Sequence, residues 1–192
     1  MNSATPACIT FDALSAGYER PVVGPVSFAV GADEVVALWG ENGSGKTTLL
    51  NTAASAVRSF GGRLVKRPGL RVSHQQQQAL PIAGIPLSGR ELFGLTGATP
   101  DHLPAPLVPL LNRRLSELSG GQLQLLQVFA CLRAPADLVL LDEPTNNVDP
   151  GSVTLLVDAL RNARGGRAVL FVSHDRRFVD AVADRVIEVG AP

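Results

Sequence analysis

The chain has 192 residues, 45% of them hydrophobic, which is enough for a real core and fits one domain. Its 17 Lys and Arg are balanced by 17 Asp and Glu, so no global field draws it to nucleic acid or to an anionic membrane. No apolar run approaches the ~20 residues of a bilayer span, no secretory leader is visible at the N-terminus, and Cys8 and Cys131 make no disulfide framework, which points to a reducing, cytosolic setting.

In chain order, "ACITFDAL" (7–14) and "PVSFAV" (25–30) are β-rich and separated by Gly and Pro turn signals, so the chain is expected to open with short strands. "EVVALW" (34–39) is an apolar run that stops at Gly40, the pattern of a buried parallel strand. After a glycine-rich turn, "KTTLLNTAASAV" (46–57) reads as a helix. "HQQQQ" (74–78) is a brief polar run. The region from about 79 to 134 differs: it holds Pro81, Pro86, Pro100, Pro104, Pro106 and Pro109, then a nearly all-apolar stretch of helical length. It is expected to form a small, mostly helical insertion. "LVLL" (138–141) and "AVLFVS" (168–173) read as further buried strands. Between them, "SVTLLVDALRNA" (152–163) has helical spacing and follows Asp149-Pro150, a good start signal. Strand, helix and strand in this order predict a parallel sheet covered by helices.

"GENGSGKTT", Gly40 to Thr48, matches G-x-x-x-x-G-K-[ST] after a predicted strand and before a predicted helix. Glycines there let successive backbone N–H groups turn inward around phosphate oxygens, so Gly40, Asn42, Gly43, Ser44, Gly45 and Thr48 are candidate nucleotide-binding positions. The helix adds its N-terminal dipole. Lys46 can reach the β- and γ-phosphates, and the Thr47 hydroxyl can ligate Mg²⁺. "LVLLDEP" sends Asp142 to a strand's carboxyl end, where open α/β sheets bind ligands and where it can hold the Mg²⁺ shell. Glu143 points to another side of that strand end and can polarise an attacking water. His174, after "VLFVS", should emerge on the same edge, within reach of the γ-phosphate or that water.

Together these residues resemble the ATP-binding subunit of ATP-binding cassette (ABC) transporters, a P-loop NTPase. "GENGSGKTT" looks like its Walker A, "LVLLDE" (138–143) like Walker B with the catalytic glutamate, and "LSGGQ" (118–122) is the signature without a mismatch. "NNVD" (146–149) resembles the D-loop and His174 the switch histidine. Gln75, after "LRVSH", resembles the Q-loop glutamine that links Mg²⁺ to the helical region, with Gln76 the alternative. Tyr18 resembles the aromatic residue that stacks on adenine. The resemblance runs from about residue 9 to 189. It implies a mainly parallel α/β core, an N-terminal antiparallel β part and a helical subdomain at about 79–134 within a single ATPase domain.

The resemblance also implies an ATPase that pairs head to tail with a second, identical or related cassette, sandwiching ATP and Mg²⁺. Ser119, Gly120, Gly121, Gln122 and Asp149 would then serve the partner's nucleotide. A separate integral membrane permease is implied, placing the chain on the cytoplasmic face of the cell membrane. No nucleic-acid partner and no C-terminal regulatory domain are expected. One departure stands out: Leu125 and Ala130, in "QLLQVFACL", occupy positions where the family carries arginines. Apolar residues then ring this helix, which predicts burial. The alternatives are an ABC-type ATPase acting on ribosomes or DNA, suggested by "VSHDRRF", and a module that binds ATP but scarcely hydrolyses it.

Overall fold

The computed structural model describes residues 7–76, 86–163 and 165–190. Gln77, Gln78 and the first part of the expected insertion, 79–85 with Pro81, lie outside the described residues. Two sheets organise the chain. Strand β1 (Ala7–Gly17) pairs antiparallel with β2 (Pro21–Gly31) on one side and β4 (Arg58–Lys66) on the other. Phe11 faces Phe28 across the β1–β2 ladder, and their rings stack with centroids 4.2 Å apart.

The second sheet is parallel throughout, in the order β5-β6-β7-β3-β8. It contains β3 (Val35–Trp39), β5 (Val72–Gln75), β6 (Leu138–Asp142), β7 (Ala168–Val172) and β8 (Arg185–Glu188). The helices are α1 (Lys46–Ala53), α2 (Gly89–Thr96), α3 (Gly120–Arg133), α4 (Pro150–Arg161) and α5 (Arg176–Val182). Between β5 and β6 the described chain is helical: α2, two 3₁₀ segments (Ala105–Asn112 and Leu115–Glu117) and α3. No helix among the described residues is long and apolar enough to cross a membrane.

The central strands are buried on both faces, and their side chains alternate as a pleated strand requires. Ala37, Val139, Leu141 and Phe171 pack toward α2–α5. Val36, Leu38, Leu140, Leu170 and Val172 pack toward the antiparallel sheet and α1. The parallel sheet is therefore the middle layer of three.

The structure departs from the sequence reading at the opening strands, at α1, at β4 and at α5. The opening strands are long, 11 residues each rather than short. Helix α1 stops at Ala53, not at 57: Ser55 adopts φ 65 and turns the chain out, so that β4 can begin at Arg58 opposite Gly17. The sequence reading named neither β4, whose paired glycines carry little strand propensity, nor α5, only seven residues long.

Leu140 is fully buried in the middle of β6. Leu140→Ala is expected to lower the unfolding free energy by about 2–5 kcal/mol. Urea denaturation followed by circular dichroism reads this, and a loss under about 1 kcal/mol would contradict the placement of β6 at the centre of the core.

Candidate nucleotide-binding and hydrolysis site

The parallel register brings four strand ends to one line. Gln75 pairs with Leu141, Asp142 with Val172, and Leu38 with Val172. Gly40–Gly45, Asp142–Glu143 and Ser173–His174 therefore leave the sheet side by side.

At the β3 end, the chain turns into α1 through Gly45, whose φ is 91. A Cβ at Gly45 would sit 2.4 Å from the Val23 Cβ, so the turn depends on glycine for both its conformation and its contact with β2. Each of the other four helices has a side-chain cap: Ser88 on α2, Ser119 on α3, Asp149 on α4 and Asp175 on α5. Helix α1 has none, and no acidic residue in its first turn. Its first N–H groups keep their donors directed at the loop, the condition for holding an anion. The Ser44 hydroxyl, buried beside them, has no hydrogen-bond partner among the described residues. Lys46 is 7% exposed and folds back over the loop, donating to the Gly40 carbonyl at 2.9 Å and the Glu41 carbonyl at 2.7 Å.

A cavity of about 490 Å³ opens here. Asn42, Gly43, Gly45, Lys46, Thr47 and Thr48 line it from the loop and α1, and Glu143, Asn146 and His174 from the other strand ends. The Thr47 hydroxyl donates to Asp142 Oδ1 at 3.1 Å. Asp142 is 2% exposed, and burial pushes its carboxyl up to about 6, with a further upward push from Glu143. The Thr47 hydrogen bond and the Lys46 charge oppose that rise. Gln75 closes β5, and its Oε1 accepts the Asp142 N–H at 3.2 Å while its Nε2 donates to the Gln76 carbonyl. Thr47 and Asp142 thus offer hard oxygen donors around an under-compensated carboxyl, a pair suited to Mg²⁺, while Gln75 packs on the Asp142 backbone and lines a separate cavity with Ser73, Leu92 and Cys131.

Glu143 lies just past β6 with φ 50, a conformation rare for a residue with a side chain. Its Oε2 accepts the His174 backbone N–H at 3.3 Å and lies 2.9 Å from His174 Nδ1. Tyr18 does not line the cavity. It is 61% exposed beyond the end of β1, with its hydroxyl 3.5 Å from Asn51 Nδ2 on α1.

The signature residues sit elsewhere. Ser119 caps α3 in a reciprocal pair: its hydroxyl accepts the Gln122 N–H at 3.2 Å, and Gln122 Oε1 accepts the Ser119 N–H at 3.1 Å. A Cβ on Gly121 would come within 2.3 Å of the Asn147 carbonyl oxygen, so α3 can lie on the 146–149 loop only with glycine there. Gly120 faces open space. Asp149 Oδ1 accepts the Ser152 N–H at 3.0 Å, and hydrogen bonds from the Ser152 side chain first and its N–H second hold the carboxyl below the usual range. Ser119, Gly121, Gln122, Asn147 and Asp149 line a second cavity of about 290 Å³, which shares no lining residue with the first. Leu125 and Ala130 are buried in the face of α3 against the core. The sequence reading missed Gln124, whose Nε2 donates to the Glu143 carbonyl. The available signal was a polar residue in an apolar helix, which needs a partner.

The family model of the ABC transporter matches residues 23–86, and that of an AAA domain of a type IV toxin–antitoxin system matches residues 110–180. The zinc import ATP-binding protein ZnuC of Jannaschia sp. (strain CCS1) is 38% identical over 190 residues, covering 93% of this chain and 77% of that protein. The protein of the same name from Cereibacter sphaeroides is 36% identical over 175 residues, 86% of this chain and 72% of that protein. Among solved structures, the ATP-binding subunit of an ABC transporter superposes with a TM-score of 0.81 at 20% identity, over 95% of this chain and 86% of that one.

The raised Asp142 value sets a sign. The unfolded chain loses this proton near its ordinary value of about 4 and the folded chain only near 6, so stability falls as pH rises between them. Without nucleotide and in EDTA, Asp142→Asn is expected to be about 1–2 kcal/mol more stable than wild type at pH 7, with the gain vanishing near pH 4. Denaturant titrations at both pH values check this; a difference independent of pH would contradict it.

Proposed function

The chain belongs to the family of ABC transporter ATP-binding subunits, and from that premise we propose that it hydrolyses ATP with Mg²⁺ between two head-to-tail cassettes, driving metal-ion uptake through a separate permease. The observation that carries the site is the uncapped start of α1, with Lys46 and the unpartnered Ser44 hydroxyl beside it. Its N–H groups and the turn at Gly40–Gly45 bind the phosphates. Lys46 exchanges its two carbonyl partners for β- and γ-phosphate oxygens. Thr47 and Asp142 hold Mg²⁺, which when bound neutralises charge on those phosphates. Glu143 takes a proton from the attacking water, and His174 orients the Glu143 carboxylate and contacts the γ-phosphate. Tyr18, exposed beside Asn51 of α1, stacks on adenine.

The first cavity contains no signature residue, which supports a half-site. Ser119 and the Gly120–Gly121 backbone would close the partner's site, with Gln122 holding the cap and Asp149 bordering the interface. The same patch serves twice in such an isologous pair. Identity to zinc import subunits over 86% and 93% of the chain supports a divalent metal as cargo and a place at the inner face of the cell membrane. Cargo recognition would fall to the permease. A ribosome-acting role is the less supported reading: the archaeal ribosome recycling factor that superposes on this chain is 26% identical and is covered over only 38% of its length, against 36% and 38% identity to the zinc import subunits.

Wild type is expected to hydrolyse ATP, and Glu143→Gln to lose about 10²-fold or more of kcat. The variant should elute as a dimer in ATP and Mg²⁺ and as a monomer without them. Full turnover by the variant would remove Glu143 as the base, and a monomer under both conditions would remove the sandwich.

A further inference from the structure

The Glu143 carbonyl oxygen accepts two hydrogen bonds. One is local, from the Asn146 N–H at 3.1 Å. The other comes from Gln124 Nε2 at 3.0 Å, 19 residues away on α3. Gln124 stands beside buried Leu125 and Leu126. A part-buried amide there gains most by donating to a carbonyl.

Glu143 needs such restraint. At φ 50 its backbone is held in a sparsely populated region, and only surrounding contacts keep it there. Its N–H donates to the Val172 carbonyl at 3.0 Å, and its carboxylate is held by His174. The carbonyl fixes the peptide plane that follows. That plane, together with the N–H on the other side, sets the Cα–Cβ bond from which the carboxylate reaches out, and the Gln124 bond holds it alongside the Asn146 N–H. The contact is also mechanical. One turn earlier on α3, Gly121 lies against the Asn147 carbonyl, so the first turns of the helix touch both ends of the 143–147 turn.

We propose that Gln124 is a positioning residue for ATP hydrolysis: its amide clamps the Glu143 carbonyl and ties the aim of the carboxylate to α3, the helix capped by Ser119. The inference rests on Glu143 being the water-activating group. It makes α3 a direct link between the face that meets a partner's phosphate and the base of the chain's own site.

The test uses the full chain and two variants. Gln124→Met keeps the length and loses the donor, while Gln124→Glu keeps the shape and only accepts when ionised. Both are expected to lower kcat about ten- to a hundredfold, with KM for ATP within about twofold and Tm close to wild type. In a Glu143→Gln background, Gln124→Met should cause no further loss of the residual rate, because the group it positions is gone. Unchanged kcat in both variants would overturn the proposal. So would a loss of equal size in both backgrounds, or a rise in KM and fall in Tm that account for the lost activity. If Glu143→Gln alone keeps wild-type turnover, the base assignment fails first and the proposal falls with it.

Discussion

The parallel register of β5, β6, β7 and β3 is the constraint on which the nucleotide site depends. It places Gln75, Asp142, the residues after Val172 and the loop after Trp39 at one edge. Burial on both faces fixes it. A slip of one residue in β6 would send Val139 and Leu141 to the layer that now takes Leu138 and Leu140, and would turn Asp142 away from Thr47. The same alternation that builds two hydrophobic layers thus sets the direction of the Asp142 carboxylate.

Charge at this edge is left unbalanced by the chain's own groups. Asp142 is buried with one hydroxyl for company, the α1 start lacks a cap, and Lys46 rests on backbone carbonyls. Each group has an incomplete set of partners that a phosphate chain and a divalent cation would complete. Stability is traded for binding here, as the raised Asp142 carboxyl indicates. The signature end is arranged in the opposite way. Ser119 and Gln122 satisfy each other, and Gly121 is pressed against the 146–149 loop, so that face is preorganised.

The parts legible in the sequence are those whose chemistry is local. The glycine turn and the apolar runs ending in Asp142 and Ser173 each signal through neighbours a few residues away. Parts set by distant partners were not legible. Strand β4 exists because β1 offers it an edge, despite Gly61 and Gly62. Helix α1 stops early because the chain must return to Gly17. The positive φ of Glu143 follows from contacts with Val172, His174 and Gln124, three residues that nothing in "LVLLDEP" names. Tyr18, named on the family resemblance, stands exposed outside the cavity, a placement that no local pattern in the sequence announces.

The central claim is that one chain holds half a site: Lys46 and Glu143 act on a nucleotide that another chain's Ser119 closes. Mixing Lys46→Ala and Ser119→Arg chains tests it most directly. Each variant alone should be inactive, since both sites of its pair are broken. A mixed pair regains one intact site, formed by the loop of the second variant and the signature of the first, so the mixture should hydrolyse ATP where neither parent does. A mixture no more active than its parts, or full turnover by Ser119→Arg alone, would contradict the account.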